Sequence, residues 1–311
     1  TDYAAFREAA IFDCCKWDPQ VEDQSILAPF ALSLSAETWA ELAELAELLA
    51  AEALQAECEL VQRSELLRRI SFPWSLRRAF AQSAEHPPTT CARFQRFDFH
   101  WTTDGWRISE VNSDVPGGFN EAAGVTRLRA QYRGGGMTGD RARGRAAALA
   151  AGRRGAGPVG LVHATAYADD RQVMAYLAGE LEQLGVASVP LSPADLVWRR
   201  GWAFTSDGEQ LSALLRFYPA EWLPELPRRS DWKQLFKTQT PGANPPTALL
   251  TQNKRWPLVW DELQTPLPTW RRLLPESRDP RRVPWRHDPV WIVKPALGRV
   301  GDGIGLRDTL S

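Results

Sequence analysis

The stretch PVGLVHATAYADDRQVMAYLAGELEQLGVASVPL, residues 158–191, decides the fold class. Val159 to Val162 is a short apolar run without polar interruption, as a strand buried on both faces requires. Asp169 and Asp170 follow, suited to the positive end of a helix dipole. Val173, Leu177, Leu181 and Leu184 then recur at helical spacing. Gly185 supplies the C-terminal cap, and Val186 to Leu191 is the next apolar run. A strand, a crossover helix and a second strand predict a parallel pair, and hence an α/β protein. No G-x-G-x-x-G lies between the first strand and the helix, so a dinucleotide is not indicated.

Composition frames this unit. A chain of 311 residues suggests about two domains. Lys+Arg of 37 against Asp+Glu of 38 gives a net charge of −1, which provides no electrostatic drive toward nucleic acid or a membrane surface. No apolar run reaches the roughly 20 residues of a membrane helix. Thr1 to Asp13 lacks the layout of a signal peptide, and the four cysteines form no C-x-x-C pair; reduced thiols and a cytoplasmic location are expected. The 14 tryptophans often stand beside Pro or Arg, as at Trp74, Trp256 and Trp285, and read as packing anchors.

Upstream, residues 36–70 read as one long helix with a stripe of Leu42, Leu45, Leu49, Ala53, Ala56 and Leu60, stopped by Pro73. Residues 93–112 read as a β-hairpin: Phe97, Phe99 and Trp101 alternate with Arg96, Asp98 and His100 around the turn at Thr103-Asp104-Gly105. The Gly- and Arg-rich residues 133–157 suit a linker or a surface helix over 140–151. Downstream, Trp202 to Thr205 and Leu211 to Phe217 flank Ser206-Asp207-Gly208 as a second hairpin. Helices are expected near 231–237 and 246–252. A last strand over 290–295 ends at Lys294 and runs into glycines 298, 301, 303 and 305.

Three segments can carry chemistry. Asp98, Glu110 and Asn112 form a hard-oxygen set suited to Mg2+, with Arg96 on the same strand face as Asp98, able to reach an anion. Taken alone, this is equally a polar hairpin face with a surface ion pair. Asn112 to Gly118 is a turn-rich exit whose glycines let backbone N–H groups approach an anion. Lys294 with the glycine loop can hold and cover a triphosphate, although the loop is not a Walker motif.

Together, Arg-Phe-Asp at 96–98, Glu-Val-Asn-Ser-Asp at 110–114, and Trp-Ile-Val-Lys-Pro at 291–295 with Gly298-Arg299 resemble glutathionylspermidine synthase and its relatives. Tyr218-Pro219-Ala220-Glu221-Trp222-Leu223 is similar to the family's middle region. The resemblance implies an ATP-grasp-like α/β (mixed α+β) fold with a pre-ATP-grasp parallel-sheet lobe. It implies a helical part over 1–92, a substrate and metal lobe over 93–218, and a nucleotide-binding part over 219–311 that the family continues further. The implied activity is ATP- and Mg2+-dependent joining of a small-molecule or peptide carboxylate to an amine through an acyl phosphate. Asp98, Glu110 and Asn112 would hold Mg2+, Arg96 would steady the transferring phosphoryl group, and Lys254, Lys294, Gly298, Gly301 and Gly303 would bind ATP. Val115 stands where relatives carry Ser or Thr, and Val300 where they carry Glu. The rival reading is a nucleotide-binding or scaffold protein that kept the fold without the catalysis.

Register decides whether the metal set can exist. A two-residue turn pairing Thr103 with Trp106 would place Phe99 opposite Glu110 and separate Asp98 from it. A three-residue loop pairing Thr102 with Trp106 sets Asp98 against Glu110 and Arg96 against Asn112. The second is expected from Gly105, with Trp106 and Ile108 then forced onto the polar face. The loop 298–305 is expected to be mobile without nucleotide.

Overall fold

Residues 158–191 fold as their pattern predicts. In the computed structural model, which describes residues 3–305 apart from 134, 135, 138, 289, 300 and 302, Val159–His163 and Ser188–Leu191 are parallel neighbours, with Val159 opposite Ser188 and Val162 opposite Leu191. Helix Ala168–Gln183 joins them and buries Val173, Leu177 and Leu181. Gly185 ends it at φ +70°, where a side chain would be strained.

The chain forms two compact units, each assembled from three separate stretches. The first comprises Thr1–Ala36, Pro88–Phe94 and Val115–Pro245. Its sheet has four parallel strands in the order Gly242–Ala243, Ala213–Phe217, Val159–His163, Ser188–Leu191. This corrects the second expected hairpin. Trp202–Phe204 pairs with Val197–Arg199; across the Ser206-Asp207-Gly208 turn only the Phe204–Gln210 bridge and the Leu211 N–H to Ala203 O bond remain of the expected pairing, and Ala213–Phe217 lies inside the sheet, buried at every position. Apart from Arg216, whose buried guanidinium donates to the carbonyls of Asn244 and Tyr218, this run is apolar, and such a run belongs in a sheet covered on both faces, whereas a hairpin with one wet face alternates.

The Arg-rich region is helical over Arg141–Gly152, capped by Asp140, whose carboxylate accepts from the Arg143 N–H at 3.0 Å. Ala146 and Leu149 join the core formed with Val159, Leu177 and Leu215. Arg145 does not face solvent as a nucleic-acid patch would: its guanidinium stacks on Phe94 and Phe119 at 4.3 and 4.0 Å. Elsewhere in this unit helix Tyr3–Phe12 buries Phe6 and Ala10 beside Cys14. Burial pushes the Cys14 thiol up to about 12, and all four cysteines are free thiols.

The second unit comprises Glu37–Pro87, Gln95–Asp114 and Pro246–Ser311. Its spine is the helix Ala36–Gln62, whose Leu45, Leu49, Ala53, Ala56 and Leu60 are buried. The single helix expected over 36–70 breaks at Arg63, which leaves the helical region at ψ +72°; Ser64–Arg69 is a separate short helix with Leu66 and Leu67 buried. Pro73 is the N-cap of a further helix, Trp74–Glu85, which the sequence reading omitted.

Acids on the spine organise the segment opposite. Glu59 accepts from the backbone N–H groups of Gln264 and Thr265, both at 2.9 Å. Glu52 accepts from the N–H groups of Thr269 and Trp270, the first turn of helix Pro268–Leu273, where a carboxylate satisfies orphan donors. Trp270 donates its indole N–H to Leu49 O at 2.9 Å and meets Trp256 edge-on at 4.6 Å between centroids. Trp256 and Trp285 are the buried anchors expected. Trp74 is not: it is 65% exposed, with Arg78 stacked on its ring.

The expected strand over 290–295 is reduced to one bridge, Val293 with Gly305. Pro295 has no N–H to extend the ladder, and Val290 and Ile292 are exposed. No helix among the described residues is long and apolar enough to cross a membrane.

Candidate functional site

The hairpin strands Arg96–Thr102 and Gly105–Asn112 pair antiparallel, with Asp98 opposite Glu110 and Arg96 opposite Asn112. The expected pairing is present, reached by a different route. Thr102 pairs with Gly105 rather than Trp106, and Gly105 takes φ +88°. That tight turn alone would put Asp98 and Glu110 on opposite faces. A bulge at Ser109, between the Asp98–Glu110 and Phe99–Ile108 pairs, restores the register. The bulge also removes the anticipated penalty. Trp106 and Ile108 share a face with Phe97, Phe99, Trp101 and Val111, and Trp106 packs edge-on against Phe99 and Trp101.

On the other face the carboxylates have cationic company. Arg96 forks onto Asp98, Nε to Oδ1 at 2.8 Å and Nη2 to Oδ2 at 3.1 Å. Glu110 Oε2 lies 3.6 Å from Lys254 Nζ and 3.9 Å from Lys294 Nζ. Asn112 Nδ2 donates to Glu110 Oε1 at 3.5 Å. Lys294 Nζ donates to Ser109 O, at 3.4 Å, so the bulge's freed carbonyl helps to place that ammonium. Lys254 Nζ donates to Gly298 O at 2.9 Å. Burial lowers the pKa of Lys254, and the charges of Lys294 and Arg299 push it the same way, while Glu110 opposes them.

The structure thus brings together Glu110, Asn112, Lys254, Lys294 and Gly298, and joins Arg96 to Asp98. Gly301 and Gly303 turn the glycine loop at φ +78° and +66°. A Cβ on Gly303 would come within 2.8 Å of Pro295 Cγ, so glycine is required there twice over. Val300 lies outside the described residues, and so does part of the loop expected to be mobile.

Three features escaped the sequence reading. Arg299 Nη2 meets Asp114 Oδ2 at 2.9 Å, with the Asp114 carboxylate fully buried. The Asp114 N–H is received by Gln252 Oε1 at 2.7 Å. Ser113 contacts the Thr251 hydroxyl at 3.1 Å, and that hydroxyl donates to the buried Glu57. The exit from the hairpin is thereby locked beneath the charged face. A cavity of about 460 Å3 opens beside Glu110, Lys254 and Lys294, with Trp256, Trp270, Trp285 and Trp291 among its walls. That volume falls within the range of small-molecule sites, and apolar walls with a few convergent charges are their usual lining.

Among the described residues no group of three or more His, Cys, Asp or Glu side chains could hold a metal ion. The set here is two carboxylates and an amide. That suits Mg2+, which binds through one or two carboxylates and completes its shell with water and phosphate oxygens.

The family model described as glutathionylspermidine synthase preATP-grasp matches residues 20–310, and the chain belongs to that family. No curated protein matches it. Among solved structures, a glutathione synthetase-like effector from Globodera pallida, in its apo form, superposes with a TM-score of 0.60 at 13% identity, over 87% of this chain and 69% of that one. At that identity the likeness concerns the fold: a pre-ATP-grasp α/β architecture.

Proposed function

We propose that the protein is an ATP- and Mg2+-dependent carboxylate–amine ligase. The observation that carries this reading is the Ser109 bulge, which sets Asp98, Glu110 and Asn112 on one face beside the ammonium groups of Lys254 and Lys294. Two lysines around one carboxylate, at the mouth of an apolar cavity, suit a nucleotide whose base lies among the tryptophans and whose phosphates replace Glu110 as the lysines' partner.

Asp98, Glu110 and Asn112 would hold Mg2+, which when bound neutralises phosphate charge and makes the terminal phosphoryl group more electrophilic. ATP enters as a co-substrate. The acid's carboxylate oxygen attacks the γ-phosphorus, ADP departs, and the amine then displaces inorganic phosphate to form the amide. Arg96 shifts from Asp98 toward the transferring phosphoryl group, a planar fork matching phosphate as it matches carboxylate. Lys254 and Lys294 hold phosphate oxygens. Catalysis of this kind is mostly positioning and charge neutralisation, and the locked segment at Ser113 and Asp114 supplies the rigidity that positioning needs. Membership of a ligase family and a fully charged site support the enzyme over the scaffold reading.

The test is phosphate release from ATP and Mg2+ with pooled acids and amines. Release that requires both an acid and an amine is expected. Nucleotide binding without release under any pairing would favour the scaffold reading instead.

A further inference from the structure

One wall of the cavity is unlike the others. Between the helix ending at Leu273 and the short turn of 3-10 helix starting at Trp285, residues 275–284 form neither helix nor strand. Pro275, Ser277, Arg278, Pro280 and Val283 nevertheless line the cavity. The outer side of this wall faces solvent, with Arg281 and Arg282 exposed; Arg278 is exposed as well, its guanidinium over the Trp291 ring at 5.8 Å. A segment of this kind has little backbone hydrogen bonding to hold it, so its position depends on side-chain ties.

The tie is Asp279. Its Oδ1 accepts the Arg281 N–H at 3.1 Å and its Oδ2 accepts from Arg281 Nη2 at 2.6 Å, closing a local turn. The same Oδ2 also accepts from Arg255 Nη2 at 3.1 Å, and the Asp279 side chain is only 12% exposed in an otherwise exposed segment. Arg255 is on rigid ground. Its N–H donates to Asn253 Oδ1 at 2.9 Å, the Trp256 N–H donates to Asn253 O at 2.8 Å, and Asn253 Nδ2 is anchored on Ile70 O at 3.1 Å. Its neighbour Lys254 donates its own N–H to Ala296 O and its ammonium to Gly298 O. Chiefly through the Arg281 hydrogen bonds, and with Arg255 adding to them, Asp279 is held well below the usual carboxylate range, so the tie is ionic at neutral pH.

We propose that the Arg255–Asp279 ion pair is a latch fastening residues 275–284 as a removable wall over the cavity, and that it joins the wall's position to the turn that carries Lys254. The identity of the ligand, a nucleoside triphosphate, rests on the reading of the previous section; the latch does not. Arg255 and Asp279 are positioning residues. Opening the pair frees the wall, and closing it sets the wall and the Lys254 ammonium in place together.

Trypsin reads this directly, because Arg278, Arg281 and Arg282 provide three cleavage points within the wall. Limited proteolysis followed by intact-mass analysis would compare the full chain with Asp279→Asn, Arg255→Gln and the double variant. Asp279→Asn keeps an oxygen for the Arg281 N–H, so the local turn survives while the ion pair is lost. Each single variant should be cut in the wall roughly two- to fivefold faster, the range a partly exposed ion pair supports, and the double variant no faster than either. Unchanged cleavage in both single variants, or additive effects in the double variant, would overturn the latch. Saturating Mg-ATP should protect the wild-type wall and raise the apparent KM for ATP in the variants with less change in kcat. If the variants open the wall but Mg-ATP fails to protect it, the latch stands and the nucleotide reading falls.

Discussion

Replacing Glu110 with Gln removes one charge and almost no volume from the centre of the charged face. At the observed 3.6 and 3.9 Å, its attraction for each lysine is about 1 kcal/mol at the dielectric of bulk water and about 4–5 kcal/mol at an effective dielectric of about 20. The side chains involved are 19%, 25% and 29% exposed, which places the interaction between those limits. After the desolvation already incurred, the net loss of stability should be about 1–2 kcal/mol, a fall in Tm of roughly 2–3 °C for a chain of this size. The functional effect has a more specific sign. Without Glu110 the two ammonium groups lose their internal counter-charge, so ATP in the presence of a chelator should bind more tightly, by roughly fivefold for about 1 kcal/mol. Mg2+ should no longer improve binding, because a carboxylate ligand is gone. Calorimetric titration of ATP with and without Mg2+ separates the two effects. Wild-type Mg2+ enhancement in Glu110→Gln, or weaker chelator-phase binding, would refute the assignment of Glu110 as a ligand that also balances the lysines.

Other expectations follow from the same geometry. Asp98→Asn should abolish Mg-ATP turnover while changing stability by less than about 1 kcal/mol, since its partner Arg96 is largely exposed; retained turnover measured by phosphate release would contradict the metal set. Deleting Ser109 removes the one unpaired residue and so should keep Glu110 opposite Asp98, but it takes away the carbonyl that Lys294 donates to and should weaken ATP binding in calorimetric titration, with the fold checked by circular dichroism. Trp270→Ala should cost about 3–5 kcal/mol in urea unfolding, because the indole is buried and hydrogen-bonded to Leu49. The folded-state pKa of Asp279 lies below its unfolded value, so the unfolded state takes up its proton first and this contribution is present above about pH 4 and lost as pH falls; Asp279→Asn should flatten that part of the acid limb in thermal melts.

What was legible in the sequence follows from how local each signal is. The β-α-β unit could be read because Val159 to Leu191 carries its whole pattern within one stretch, closed by Gly185. The Asp98–Glu110 pairing could be read as a requirement, but not its route. The apolar residues Trp106, Ile108 and Val111 break strict alternation, and that spacing is the signal of the Ser109 bulge. Asp207-Gly208 is turn chemistry and suggests a hairpin for Ala213 to Phe217, but four apolar residues in five, without alternation, suit the middle of a parallel sheet, where Arg216 is buried on backbone carbonyls. The helix break at Arg63 leaves no mark in the leucine spacing, since Leu67 falls seven residues after Leu60 and would share its face in an unbroken helix. The remaining parts of the site are invisible for a simpler reason. Asp114 and Arg299 are 185 residues apart, and the cavity wall at 275–284 has no periodicity to read, so only the folded chain places Asp279 against Arg255.

In the proposed ligase the bulged hairpin is the place where a metal and a nucleotide's phosphates meet. A crystal structure with Mg2+ and a non-hydrolysable ATP analogue tests this most directly. The metal should lie roughly 2.0–2.1 Å from oxygens of Asp98, Glu110 and Asn112, with phosphate oxygens in hydrogen-bond reach of Lys254 and Lys294 and the base among Trp256, Trp285 and Trp291. A nucleotide bound elsewhere on the chain, or one bound here with Arg96 still forked onto Asp98 and no metal against Glu110, would contradict it.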